Sequence, residues 1–200
     1  MQLDKLIKRS RAVAGQLADY LNPQYLNAGS TAKTSLGFMG TMVERWLPDR
    51  YRQTTLESIF NFLPISARLL TSGQPTELQF AAIKSAGITQ VINLAPHGLE
   101  NSLDNEAEIV AAHGMRYTHI PVDFKNPTEQ DFETFCQAMQ AAGNDKVLVH
   151  CAANMRVSAF MYRYRTQVLG EAKEIVAQDL AKIWEPFGVW AGFVGRGAAT

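Results

Sequence analysis

Cys151 and Arg156 frame the most reactive stretch of the chain, KVLVHCAANMRVSAF at residues 146–160. A cysteine thiolate is a nucleophile, and arginine presents a planar fork that grips two oxygens of an anion at once, which lysine cannot imitate. Between them stand Ala152, Ala153, Asn154 and Met155. If the apolar run before Cys151 is a strand and the pattern after it a helix, the amides of those four residues can converge on an anion. The first turn of a helix leaves its N–H groups unpaired. Ala152 and Ala153 leave room for the approach. A thiol in such a setting can have its pKa drawn from ~8.5 to roughly 3.5–7.5, which supplies a thiolate at neutral pH. Cysteine, amide cradle and arginine describe an oxyanion site with its own nucleophile, and His150, directly before the thiol, is counted with the loop as part of the binding set. The blander reading of Cys151 is a buried structural thiol. Strand, His150, small loop and arginine coincide here, which favours the reactive one.

The flanking elements have to place that loop. KVLVH has no polar alternation, as expected of a strand buried on both faces, and the carboxyl end of such a strand is where open α/β sheets bind ligands. Upstream, ISARLLTSG reads as a strand, and PTELQFAAIKSAG as a helix with proline near its start and Gly87 past its end. ITQVINL is the next strand. NSLDNEAEIVAAHG reads as a helix ending at Gly114, and MRYTHIPV as a further strand. Asn126, Pro127 and Glu129 then offer a cap, a first-turn proline and an N3 carboxylate for a helix with Phe132, Phe135, Cys136 and Met139 on one face. From Arg156 onward the chain is helical, with one stripe running to Gly170 and a second in EAKEIVAQDLAKIW. This alternation predicts an α/β fold with a mainly parallel central sheet flanked by helices.

The amino-terminal quarter follows a different pattern. Residues 1–21 carry apolar side chains at helical spacing, which predicts an amphipathic helix. Residues 27–40, rich in glycine, serine and threonine, read as a linker or mobile loop. Thr41 with Glu44 fits a capping box for a short helix through Trp46, stopped at Pro48. The organisation expected is a helical extension over residues 1–56 and an α/β domain over residues 57–200.

Composition narrows the partners. Lysine and arginine number 19 against 19 aspartates and glutamates, so net charge points neither to nucleic acid nor to an anionic membrane surface. Cys136 and Cys151 are the two cysteines, too few for a disulfide framework, and no Cys/His cluster suggests a metal. No segment approaches the ~20 apolar residues of a membrane span. The expectation is a soluble, cytoplasmic protein with no metal and no cofactor.

HCAANMRVS is similar to the signature of the cysteine-dependent phosphatases: His-Cys, a short loop, Arg, then Ser or Thr. TSGQPTELQFAAIKSAGITQVINL resembles the phosphatases of the beta-lactamase-hydrolase-like group, and the likeness covers roughly residues 59–195. The resemblance implies a phosphatase-like fold and a phosphorylated small molecule or phosphoprotein as substrate. It further implies that Cys151 attacks phosphorus to form a phosphocysteine, Arg156 clamps the phosphoryl oxygens, and Ser158 assists the thiolate as leaving group. Asp123, in PVDFKNP, falls where such enzymes carry a general acid on a movable loop.

The loop departs from the pattern in length, with four residues between Cys151 and Arg156 where the phosphatase signature has five, and Asn154 stands for a glycine. Four is the spacing of many rhodanese-type sulfurtransferases, so a Cys151 persulfide is the alternative reaction. A catalytically weak binder of phosphate or phosphoprotein is a third reading. Elsewhere, His97 and Glu100 are weak candidates for lining the pocket. Cys136, His113 and His119 read as structural, and Trp184 and Trp190 as packing of the last helix.

Overall fold

The computed structural model describes residues 29–44, 48–98 and 101–196. The helix expected over residues 1–21 lies outside them. Helix α1 spans Gly29–Glu44, so most of the segment expected to be a linker is helical. Its composition concealed the pattern. Thr31, Thr34, Ser35 and Phe38 are buried at helical spacing, small polar residues occupying a face usually filled by apolar ones. The two threonines are held by specific bonds: Thr34 Oγ1 donates to Ile183 O at 2.5 Å, and Thr31 Oγ1 accepts from Glu185 N at 2.9 Å. At Gly37 a Cβ would stand 2.6 Å from the Phe60 ring, so the glycine permits the helix to approach. Tertiary packing of this kind outweighs weak local propensity. Thr41 therefore lies within α1 rather than capping another helix, and its hydroxyl donates to Phe38 O at 2.7 Å.

Beyond it the order is β1 (Leu63–Pro64), β2 (Leu69–Ser72), α2 (Phe80–Ser85), β3 (Gln90–Asn93), α3 (Glu106–Ala112), β4 (Arg116–His119), α4 (Glu129–Ala142) and β5 (Val147–His150). Then follow α5 (Met155–Arg163), a π-helical turn over Tyr164–Val168, α6 (Lys173–Ile183) and α7 (Val189–Gly195). The five strands lie in the order β1-β2-β5-β3-β4, with β1 antiparallel to β2 and every other pair parallel. The mainly parallel sheet flanked by helices is the fold class read from the sequence. Register aligns Ser72, His150, Asn93 and His119 in a row at the strands' carboxyl ends.

Alternation along the buried strands feeds two cores. Val147 and Val149 join Ile92, Phe132, Phe135, Phe160, Trp184, Trp190 and Phe193 on one side, while Leu148 joins Leu70, Phe80, Ile83, Val91, Ile109 and Val110 on the other. In α4 the expected face is correct, with Phe132 and Phe135 buried and Cys136 and Met139 against the same core. Its cap is Thr128 rather than Asn126. Thr128 Oγ1 accepts from Asp131 N, and the Asp131 carboxylate accepts from Thr128 N, a reciprocal capping box that leaves Pro127 just outside the helix.

Candidate active site

Cys151 is the first residue past β5, 1 % exposed, with its amide donating to Ser72 O at 3.3 Å. The loop that follows is held by its carbonyls. Ala152 O accepts from Gln74 N at 3.2 Å and Asn101 Nδ2 at 3.0 Å, and Ala153 O accepts from Asn61 Nδ2 at 3.0 Å. Because a trans peptide points its N–H opposite to its C=O, tying the Ala152 carbonyl to the framework turns the Ala153 amide the other way. Among the described residues, nothing accepts from the amides of Ala152, Ala153, Met155 or Arg156. Ala152, Ala153 and Met155 are three of the four loop residues whose amides the sequence singled out; the fourth is Asn154.

Asn154 makes the turn. Its φ of 66° is left-handed, and its side chain is framework: Nδ2 donates to Asn61 O at 2.8 Å and to Thr71 Oγ1 at 3.1 Å. Asn61, itself at φ 49°, reaches back to the loop through Ala153, so two left-handed asparagines clasp each other. Gly73 completes the seat, since a Cβ there would lie 2.9 Å from Phe60 O and 3.0 Å from Ala152 O.

Arg156 opens α5 with only 6 % of its surface exposed. Its Nε is buried without an acceptor, and among the described residues no carboxylate pairs with the guanidinium. A buried cation left without a counter-ion is costly and calls for an anion. The guanidinium carbon lies 5.2 Å from the centre of the Phe124 ring, a cation–π distance. Phe124 packs on Trp184 and Trp190, with ring centres 6.0 Å and 5.3 Å away, and its carbonyl accepts from Trp190 Nε1 at 2.8 Å. The loop that carries Asp123 is thus pinned beside Arg156. The Asp123 carboxylate is exposed and accepts from Lys125 N at 2.9 Å. Ser158 is nearly buried, donating to Met155 O and accepting from Trp184 Nε1, each at 3.0 Å.

The His150 ring faces away from open solvent entirely. Nε2 lies 2.6 Å from Glu106 Oε1, with both side chains at 0 % exposure. Glu106 Oε2 accepts from Gln74 Nε2 at 3.2 Å and Asn93 Nδ2 at 3.1 Å. Burial alone would raise the Glu106 carboxyl; the His150 charge and hydrogen bond, the Gln74 amide and the His97 charge outweigh it and hold the carboxyl below its usual range. Tyr117, whose hydroxyl accepts from Asn93 Nδ2, is pushed up by its burial and by the Glu106 charge. Gln74, Asn101, Asn61 and Glu106 escaped the sequence reading. Glu106 in particular resembles an ordinary first-turn helix acid.

The remaining candidates fall apart from the loop. His97 is exposed with its ring 3.9 Å from that of His119, whose Nε2 meets Ala95 O, and His113 Nδ1 meets Ile109 O at the end of α3. Glu100 lies outside the described residues. Burial raises the Cys136 thiol, the Glu129 and Glu133 charges add to it, and Arg163 opposes. Among the described residues no helix is long and apolar enough to cross a membrane.

Comparison with known proteins gives these parts a context. Residues 66–162 match the family model described as "Polymorphic toxin system, DSP-PTPase phosphatase". A DUF442 protein of Shewanella putrefaciens CN-32, described as a candidate phosphatase, is 36% identical. The match covers 70% of this chain and 91% of that one, at a TM-score of 0.63. The fold also matches TpbA of P. aeruginosa in complex with pTyr, at 19% identity, 69% and 84% coverage and a TM-score of 0.57. The PP-IP phosphatase SIW14 of S. cerevisiae, in complex with citrate, gives 12% identity, 70% and 88% coverage and a TM-score of 0.58. No curated protein matches the chain. The chain belongs to the DUF442 group of dual-specificity-like, cysteine-dependent phosphatases. That membership favours phosphate-ester chemistry over the sulfur transfer that the loop length also allows.

Proposed function

We propose that the protein hydrolyses phosphomonoesters through a phosphocysteine on Cys151. The observation that carries this reading is the buried, unpaired Arg156 guanidinium, at the end of the loop that Cys151 begins, whose amides have no acceptor among the described residues. A phosphoryl group satisfies all of them together: two oxygens take the guanidinium fork and the third meets the Ala152, Ala153 and Met155 amides. The Cys151 sulfur attacks phosphorus as the ester P–O bond breaks, and the leaving oxygen takes a proton from Asp123. Water then attacks the phosphocysteine, giving its proton to the Asp123 carboxylate, and the S–P bond breaks to return the thiolate and inorganic phosphate. Ser158 assists that departure by turning its hydroxyl from Met155 O toward the sulfur. His150 contributes from behind the loop rather than by touching the ligand. The neighbour carrying pTyr and the one named for PP-IP leave both phosphoproteins and phosphorylated small molecules as substrate classes for this chain.

The reading is tested by rapid quenching with a phosphate ester followed by intact mass. Covalent phosphate on wild-type protein, absent from Cys151→Ser while that variant still binds inorganic phosphate, is the expected result. Turnover in Cys151→Ser would place the reaction elsewhere. Asp123→Asn should slow an alkyl or tyrosyl phosphate by ~10² to 10⁴ and an activated aryl phosphate far less, since only the poor leaving group needs the proton. Equal rates on both esters would remove Asp123 from the mechanism.

A further inference from the structure

Helix α1 reaches the nucleophile loop through a single intermediate residue, in a contact that the proposed reaction does not use. Thr34 is buried on the face of α1 that meets the end of α6, and its hydroxyl proton is committed to Ile183 O at 2.5 Å. The oxygen therefore presents a lone pair to its other neighbour, Asn61, whose Nδ2 donates to it at 3.0 Å. The second proton of that Nδ2 goes to Ala153 O, also at 3.0 Å. With the Asn61 amide turned over, its oxygen would face two acceptors, so Thr34 fixes the orientation that holds the loop. Asn61 O in turn accepts from Asn154 Nδ2 at 2.8 Å, and the residue grips the loop with side chain and backbone together. The neighbouring residue is held from both sides too. A Cβ at Gly37 of α1 would stand 2.6 Å from the Phe60 ring, and Phe60 O accepts from Gly73 N at 2.7 Å.

We propose that Thr34 and Asn61 are positioning residues for the loop from Cys151 to Arg156, which makes α1 part of the frame that binds the phosphoryl group. Both stand before residue 66, where the match to the phosphatase family begins, so the support comes from outside the matched stretch. The inference rests on that loop being the phosphoryl site. A bond that only anchored α1 would look like that of Thr31, whose Oγ1 bonds to Glu185 N and Glu185 O on the same side of the helix. Thr31 thus supplies the control.

The experiment compares the full chain as wild type, Thr34→Val, Thr34→Ser, Asn61→Gly, the Thr34→Val and Asn61→Gly double variant, and Thr31→Val. Valine keeps the shape of threonine and removes the hydroxyl, while glycine keeps the left-handed turn at φ 49° and removes the amide. Each is measured by thermal unfolding, by calorimetric affinity for inorganic phosphate, and by hydrogen exchange of the peptide over residues 146–160. Thr34→Val and Asn61→Gly should each weaken phosphate binding and speed loop exchange by about threefold to tenfold, the worth of one buried hydrogen bond. Thr34→Ser, which retains the hydroxyl, should restore both. The Thr34 substitution should add nothing to the loss of phosphate affinity in Asn61→Gly, because the two act in series. Thr31→Val should lower the melting temperature as Thr34→Val does and leave phosphate affinity and loop exchange unchanged. Equal effects of Thr31→Val and Thr34→Val on phosphate affinity, or none from either, mark α1 as a structural support alone and overturn the proposal. Full additivity in the double variant overturns it as well. If Thr34→Val does not fold, Asn61→Gly decides, and unaltered loop exchange and phosphate affinity in that variant overturn the proposal. Hydrogen exchange needs no ligand, so a wild type that fails to bind phosphate would refute the proposed reaction while the exchange pattern still tests the support.

Discussion

Replacing Arg156 by methionine separates an anion-binding arginine from a structural one. The guanidinium has no acidic partner among the described residues, and its recorded attraction within the fold is to the Phe124 ring at 5.2 Å. Removing it forfeits about 0.5–2 kcal/mol of cation–π attraction. It also removes the penalty of a buried, uncompensated cation, which has the opposite sign. The two offset, so the ligand-free variant should unfold within about 1 kcal/mol of wild type. A broken buried ion pair would cost ~3–5 kcal/mol. At ~2–4 °C per kcal/mol for a domain of this size, that is the difference between a few degrees and a fall of ~6–20 °C. Anion binding moves the other way. Two charge-assisted hydrogen bonds at ~1.5–3 kcal/mol each amount to a loss of ~10² to 10⁴ in phosphate affinity. Thermal unfolding with and without inorganic phosphate reads both quantities: wild type should gain several degrees from saturating phosphate, and Arg156→Met essentially none. A ligand-free variant that melts ten degrees lower, or one that phosphate still protects, would show that Arg156 does not hold the anion.

Gly73→Ala forces a Cβ to within 3.0 Å of the Phe60 and Ala152 carbonyl oxygens, so a loss of ~1–3 kcal/mol in stability and a ~hundredfold drop in turnover are expected by calorimetry and kinetics. Full activity would mean that Ala152 need not be held there. Thr128→Ala should remove the capping box of α4 and cost ~1 kcal/mol, about 2–4 °C, with unaltered kinetics; an unchanged melting temperature would argue that the cap is dispensable. Because the folded Glu106 carboxyl is held below its ordinary value of about 4.5, its stabilisation is complete above that value and is lost as pH falls through the lower folded value. Urea unfolding across that acidic window should show stability declining with acid, and a flat profile would contradict the direction assigned to Glu106.

The strand, loop and helix that carry Cys151 and Arg156 were legible because they are local. Strand, Cys151, four-residue loop, Arg156 and helix are consecutive, and the cradle amides follow from a helix beginning at Met155. The parallel sheet was legible for a similar reason, since buried strands and helices alternate with punctuating glycines such as Gly87 and Gly114 at positive φ. What holds the loop was not, because its partners at Asn61, Gln74, Asn101 and Glu106 are remote in sequence and of types that usually face solvent. Helix α1 was misread for a physical reason too: its buried stripe of Thr31, Thr34 and Ser35 is polar, so burial left no hydropathy signal. At α4, Asn126 and Thr128 are both competent caps, and only the reciprocal bonds with Asp131 decide between them.

The way the loop is tied has a consequence for how the protein is made. Its carbonyls are carried by Asn61, Gln74 and Asn101, and β5 enters the sheet between β2 and β3, strands synthesised long before it. A growing chain that has emerged only as far as Asp145 has the partners for Ala152 and Ala153 but neither carbonyl, and the central strand of its sheet is missing. The thiol, its arginine and the central strand are thus encoded together, after every other strand of the sheet. A nascent chain that stops short of β5 lacks the cysteine and the middle of its sheet alike.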